Sequence, residues 1–363
     1  MELHSNSYPS RRIFLLELWK HDMIIKRLAM LSSLISLVCF SGYASATSEF
    51  TTNMNMKTRL IQECKDDTTR LASQRIKTRV VINPKSGTDS KKNMERLISQ
   101  LLDQSIFDFE IFYTNGPNHA TKLSKEAALL GYGLVLAVGG DGTVNEVGKG
   151  LIGSDTAMGI IPSGSGNGLA KHLNISSDPK IAIQIINRFQ SIPIDTIQIN
   201  NDQFIGIAGI GFDAHIARQF AMCKKRGFWS YATLVLQEYP YYSPRIFEME
   251  IDGTWVRKEG LLISFANSSQ YGNDIKIAPQ AKLCDGYLNI IILKSPPVYA
   301  LPDVLMKLRN GTITHSKYYE SICCKEVVVH TNKLIAHIDG EPVFFENGIR
   351  LKVLPKSLKV IVP

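Results

Sequence analysis

A disulfide scaffold is the first thing this sequence lacks. Its six cysteines, at positions 39, 64, 223, 284, 323 and 324, show neither CxxC spacing nor the density of a cross-linked small domain, so they read as reduced or buried thiols. There is no internal repeat and no low-complexity linker. Disorder is not implied either, because 44% hydrophobic and 20% charged residues are ordinary for a soluble globular protein. The 41 basic residues outnumber the 33 acidic ones for a net charge of +8, which favours anionic partners such as nucleotides or acidic membrane surfaces. They are scattered and form no continuous stripe interleaved with aromatics, so a nucleic-acid partner is not expected. At 363 residues the chain is long enough for a large core, and for two domains once its leader is set aside.

One long uncharged run is present, Leu28 to Ala46. It follows Lys26 and Arg27 and ends in Ala44-Ser45-Ala46, which fits the small-residue rule for signal-peptide cleavage when counted from Met23. Counted from Met1 the basic region is too long, and the run is then a marginal membrane span or anchor. A start at Met54 or Met56 is the third reading. Residues 1–77 are therefore treated as a leader and kept out of the fold argument.

From Arg79 onward, short β-like runs alternate with helical ones: RVVIN, a helix around Lys91 to Leu102, a strand around Phe109 to Tyr113, a helix around Ala120 to Leu130, the strand Leu134 to Val138, a helix from Val144 to Ile152, the strand Ala157 to Ile161, and a helix opening near Asn167. This is the signature of a mostly parallel sheet with helices on its faces, which binds ligands at the carboxyl ends of its strands. After about Ser191 the pattern changes to alternating runs such as PIDTIQIN, RIFEMEIDG, LLISFAN and YLNIIIL. These argue a mainly antiparallel β domain, with one helical insert between Ala214 and Tyr239 and a hairpin turn at Asp252-Gly253. The expected division is a leader at 1–77, a nucleotide-binding domain at 78–193 and a β-rich domain at 194–363 whose last strands are free to return to the cleft.

Glycine-rich turns carry most of the functional signal. NPKSG, GGDGTVN and PSGSGNG each follow a strand-like run and precede a helical one, and such turns bring backbone N–H groups close to an anion at a helix start. In the second, Gly139, Gly140 and Gly142 remove side chains where a triphosphate approaches, while Asp141 offers a carboxylate to Mg²⁺. Thr143 and Asn145 add short polar groups. The plain alternative is a tight turn capped by Asp or Thr. Lys85 in the first turn meets phosphate as a point charge. The fourth stretch, HIDGEP, holds a second acidic centre. Transfer to an alcohol needs a group that takes its proton, and a carboxylate within reach suffices.

Taken together, NPKSG, GGDGTVNEV, IPSGSGNGLA, GFDA, KLCDGYL and DGEP resemble, in order, the diacylglycerol kinase catalytic family, which includes bacterial lipid kinases and sphingosine kinases. The resemblance runs from about Thr78 to the end. It implies an α/β nucleotide-binding domain of the three-layer phosphofructokinase and NAD kinase type, then an antiparallel β-sandwich, with ATP and Mg²⁺ used to phosphorylate a lipid hydroxyl. ATP contacts are implied for Asn83, Pro84, Lys85, Ser86, Gly87, Thr114, residues 139 to 145 including Val144, and Ser165. The family places the catalytic base at Glu341 in bacterial members, with Asp141 as organiser of phosphates and Mg²⁺, whereas in sphingosine kinases Asp141 takes the base role. Asp213 of GFDA is implied to meet the lipid head group. A structural Mg²⁺ is implied on the Asp285 side chain and the main-chain oxygens of Lys282 and Tyr287, although Cys284 stands where bacterial relatives often have an acid.

The GSGN form of the third turn is the sphingosine-kinase form, so diacylglycerol and sphingoid bases both remain as acceptors. An NAD kinase-like phosphotransferase on a soluble acceptor and a non-catalytic, nucleotide-regulated lipid-binding protein are the other readings. The expected partner is a lipid at a membrane surface, with a homodimer left open. Because ATP is scarce outside the cell, the expected location is cytoplasmic and peripheral to the membrane; the alternative is export or anchoring through residues 23–46.

Overall fold

RVVIN lies in the middle of the parallel sheet because Val80, Val81 and Ile82 can bury both strand faces at once, as a strand covered by helices on each side requires. A computed structural model describes residues 75–86, 91–223 and 228–363. The leader readings, from Met23 to Met56, fall outside the described residues with Cys39 and Cys64, and so does Gly87. Residues 75–363 form one compact unit.

Its first half alternates β1 (Ile76–Ile82), α1 (Lys91–Leu101), β2 (Phe107–Tyr113), α2 (His119–Leu129), β3 (Leu134–Gly139), α3 (Asp141–Leu151) and β4 (Ala157–Pro162), followed by α4 (Gly168–His172) and α5 (Pro179–Asn187). The strands pair in parallel in the order β2-β1-β3-β4, and every residue of β3 and β4 is buried. The three glycine turns therefore leave the same sheet edge. Helix α5 was not expected from the pattern, yet its start is written in the sequence. Asp178 caps it by accepting the Lys180 N–H at 2.9 Å, with Pro179 in the first turn, the residue types that open helices.

The second half contains β5 (Ser191–Ile199), β6 (Asp202–Phe204), β7 (Ile207–Gly211), α6 (Phe212–Met222), α7 (Phe228–Glu238), β8 (Arg245–Ile251), β9 (Thr254–Gly260), β10 (Leu262–Ala266), β11 (Leu288–Leu293), α8 (Leu301–Asn310), β12 (Tyr319–Cys324), β13 (Glu326–His330), β14 (Leu334–Ile338), β15 (Glu341–Phe345) and β16 (Ile349–Ile361). The single expected insert is two helices, α6 and α7. The hairpin at Asp252-Gly253 is present, with φ of 46° and 81° as a two-residue turn between twisted strands demands.

Six strands form an antiparallel sheet in the order β12-β11-β10-β7-β14-β15. It packs on the antiparallel part of the ten-stranded sheet through Phe204, Met249, Phe265, Ile290, Val327 and Leu351, making a sandwich. Its opposite face is covered by α6, α7 and α8 through Phe212, Ile216, Val235 and Leu301. The last strand joins the halves: β16 pairs antiparallel with β13 and β5 and parallel with β4 at Lys359 and Val360. Residue 193 falls inside β5. The four described cysteines are free, and burial, the largest influence on the Cys324 thiol, pushes it up to about 12. Among the described residues no helix is long and apolar enough to cross a membrane.

Candidate active site

The three turns are tied to one another by side chains that the sequence marks only as turn formers. Asn83 donates from Nδ2 to Thr143 Oγ1 at 3.1 Å, and its Oδ1 accepts the Lys85 N–H at 2.9 Å. Ser86 Oγ donates to the Asn83 carbonyl at 2.9 Å and meets Ser163 Oγ at 3.1 Å. The Ser163 N–H reaches the Gly139 carbonyl at 2.9 Å, and the Thr114 N–H the Ile82 carbonyl at 2.9 Å. Asn83, Ser86, Thr114 and Thr143 thus converge at one edge, with Pro84 half-buried and Lys85 exposed beside them. Val144 differs: its side chain is buried and its N–H bonds the Gly140 carbonyl at 3.1 Å.

The glycines serve two purposes. A Cβ on Gly164 would meet Gly140 Cα at 2.5 Å, and one on Gly139 would meet Thr143 Oγ1 at 2.5 Å, so the second and third turns pack backbone to backbone and need glycine for the fold itself. At Gly142 a Cβ would meet nothing within 4 Å; its open side faces the cavity. Gly164→Ala is therefore expected to lower the melting temperature by several degrees, as overpacking costs about 1–3 kcal/mol. Gly142→Ala should leave melting unchanged while weakening nucleotide binding, which calorimetry and a melting curve separate.

Helix α3 is capped by neither Asp141 nor Thr143. Gly140 holds the cap position without a side-chain bond, which leaves N–H groups of the first turn free for an anion. Asp141 turns instead to the next element, where its carboxylate accepts the N–H of Asn167 at 2.8 Å and of Gly168 at 2.6 Å. Burial raises its pKa, and these two donors pull it back only in part.

HIDGEP is the β14–β15 hairpin. Ile338 pairs with Glu341 across the two-residue turn Asp339-Gly340, with φ of 50° and 85°. The Asp339 carboxylate accepts the N–H groups of Ile205, Gly206 and Ile207 at 3.3, 3.0 and 2.9 Å, which fastens the turn to β7. Burial dominates there too and raises the Asp339 pKa. Glu341 is left exposed on the rim. A cavity of about 420 Å³ brings Asp141, Ser165, Asp213 and Glu341 together, with Ala217, Phe220, Ile275 and Pro342 as its apolar lining. Asn145 lies in an adjoining smaller recess with Asp141 and Asp339.

Asp213, in the first turn of α6, is buried. Its Oδ2 accepts from Ser264 Oγ at 2.7 Å and from the Tyr271 hydroxyl, and His337 Nε2 lies 3.1 Å away, though too poorly aligned to count as a hydrogen bond. Burial, then the Asp213 charge, pushes the Tyr271 phenol well above its ordinary range. Sequence reasoning missed Ser264, Tyr271 and His337; the last was visible as a histidine two places before the Asp-Gly turn.

Asp285 is exposed and accepts the Tyr287 N–H at 3.1 Å in a turn with Gly286 at φ 77°. That turn is anchored by Asp195, also missed, which is 1% exposed and accepts the N–H of Gly286 at 2.7 Å and of Lys356 at 2.8 Å. The side chains of Lys282 and Tyr287 are exposed. Among the described residues no three His, Cys, Asp or Glu side chains cluster to hold a metal, so a cation here would rest on one carboxylate and main-chain oxygens, a donor set that suits a hard cation.

Glycine turns at the carboxyl ends of parallel strands, opposed by a carboxylate hairpin from a β-sandwich, define a phosphotransferase built in two halves. The sequence profile of the diacylglycerol kinase catalytic domain matches residues 77–199, and that of the YegS C-terminal NAD kinase beta sandwich-like domain matches residues 206–362. The diacylglycerol kinase of Bacillus subtilis is 30% identical over 272 residues, covering 73% of this chain and 89% of that protein. That of Staphylococcus carnosus is 26% identical over 274 residues, covering 74% and 89%. The fold matches the crystal structure of a diacylglycerol kinase from Bacillus anthracis with a TM-score of 0.62 at 21% identity, over 79% of this chain and 97% of that one. The chain belongs to the diacylglycerol kinase catalytic-domain family.

Proposed function

We propose that this lipid kinase transfers the γ-phosphate of MgATP to the hydroxyl of a lipid, diacylglycerol or a sphingoid base, at a membrane surface on the cytoplasmic side. The observation that carries the reading is the shared cavity: Asp141 of the glycine turns and Glu341 of the hairpin line one space together with the apolar Ala217, Phe220, Ile275 and Pro342. The open side of Gly142 and the uncapped start of α3 suit the phosphates, because backbone donors fixed in place need no reorganisation as charge builds up. Asn83, Ser86, Thr114 and Ser165 border the same edge.

In the step itself the lipid oxygen attacks the γ-phosphorus, the bond from phosphorus to the ADP oxygen breaks, and Glu341 takes the hydroxyl proton. Asp141, lining the cavity with a carboxylate steadied by two backbone donors, would hold the Mg²⁺. Bound there, the cation neutralises phosphate charge. Asp285 with the Lys282 and Tyr287 carbonyls would hold a second, structural cation. Asp213, with Tyr271 and His337 around it, forms the polar end of a channel whose apolar side would take acyl chains.

Incubating the protein with radiolabelled ATP, Mg²⁺ and a panel of diacylglycerol, sphingosine and NAD in detergent micelles tests this. Label in a lipid is the expected result. Label in NAD alone would establish the soluble-acceptor reading, and nucleotide binding without transfer to any of them would establish the non-catalytic one.

A further inference from the structure

Across the six-stranded sheet one lateral row of residues runs from the helix-covered interior to the catalytic hairpin. Ser264 of β10 pairs with Gly209 of β7, Gly209 with His337 of β14, and His337 with Pro342 of β15, next to Glu341. Over this row sits Asp213 from α6. A Cβ on Gly209 would overlap Asp213 Oδ2 and lie 2.6 Å from His337 Nε2, so the absence of a side chain there is what makes room for the pair. The side chains of His337 and Asp213 are 2% and 5% exposed, and the Tyr271 ring meets the imidazole edge to face at 5.7 Å.

The two ring nitrogens face different partners. His337 Nδ1 accepts the N–H of Gly340 at 3.3 Å, so the neutral ring carries its proton on Nε2, 3.1 Å from Asp213 Oδ2. That carboxylate is in turn held by Ser264 and Tyr271. Gly340 is one half of the two-residue turn, and Glu341 follows it directly.

We propose that His337 is a positioning residue for the phosphoryl transfer: packed between the Asp213 carboxylate and the Tyr271 ring, it tethers the Gly340 amide and thereby fixes where Glu341 stands on the cavity rim. Asp339 anchors the other half of the turn to β7, so the hairpin tip is held from two sides. This role rests on Glu341 being the proton acceptor. It explains a buried histidine in a strand otherwise filled by apolar residues, and it makes Asp213 part of the same support.

The test uses two amides of similar polarity in the full chain. Asn at position 337 carries its oxygen near the place of Nδ1 and keeps the tether to Gly340, whereas Gln reaches the place of Nε2 and loses it. His337→Gln is expected to lower kcat roughly 10- to 100-fold, as a small misplacement of a reacting group does, with nucleotide affinity unchanged. His337→Asn should restore kcat to within about threefold of wild type. In the Glu341→Gln background His337→Gln should add no further loss. If Glu341→Gln is inactive and the two His337 variants lose kcat equally, or both keep it, the positioning role is overturned alone. If Glu341→Gln retains wild-type turnover, the base assignment falls and this proposal with it.

Discussion

Asp141→Asn is expected to reduce turnover on the order of 10³-fold, the scale of losing a charged group that stabilises a developing charge. The variant also carries a structural cost. Asp141 offers one oxygen to the Asn167 N–H and the other to the Gly168 N–H, and an amide can satisfy only one of them. An unpaired buried donor costs about 1–3 kcal/mol, enough to lower the melting temperature by several degrees without unfolding the chain. The two effects part company with pH. Burial holds the Asp141 pKa above its ordinary value in the folded protein, so the native state binds this proton more tightly than the unfolded chain does. The stability gained in this way is fully present below the unfolded pKa and is lost as pH rises through the folded one. Asparagine has no such loss. The melting temperature of the variant should therefore gain on that of wild type as pH rises from strongly acidic to neutral, while its turnover stays low throughout. Activity within about threefold of wild type would sink the assignment of Asp141.

Why the glycine turns were legible and their supports were not follows from the range of the interactions. NPKSG, GGDGTVN and PSGSGNG are local patterns, and the strands that precede them announce themselves through unbroken apolar runs; the structure has each of those strands within a few residues of its expected place. Asp141 was recognised as a carboxylate in a turn, but its partners lie 26 and 27 residues along the chain, so its bonds to the start of α4 are invisible to periodicity. Asp195 is the extreme case. It reads as one polar residue in the alternating run PIDTIQIN, and it anchors the amides of Gly286 and Lys356, 91 and 161 residues away. The missing side chain of Gly140 reads in the sequence as room for a ligand, whereas Gly140 and Gly164 each make way for the other's backbone. Helix α8, LPDVLMKLRN, sits among strands and went unseen because the surrounding β pattern set the expectation; its Pro302 near the start and Gly311 at its end, with φ 75°, are ordinary helix boundaries.

Glu341→Gln separates proton transfer from binding. Glutamine keeps the length and the polar end of the side chain but takes no proton at neutral pH, so phosphorylation of lipid should fall by about 10²–10⁴-fold, the usual contribution of a positioned acid or base. The fold should be indifferent to the change. Glu341 is exposed at the first position of β15, and the hairpin is held by Asp339 and by the Gly340 amide rather than by this side chain. Nucleotide affinity should also be unchanged, because the phosphate-facing turns are knitted together through Asn83, Ser86, Thr143 and Ser163 without a contribution from the hairpin. Measuring MgATP binding by calorimetry beside turnover on lipid micelles distinguishes the roles. A fall in kcat with constant affinity identifies Glu341 as the base. A parallel fall in both makes it a binding residue, and Asp141, which lines the same cavity, becomes the better acceptor for the proton.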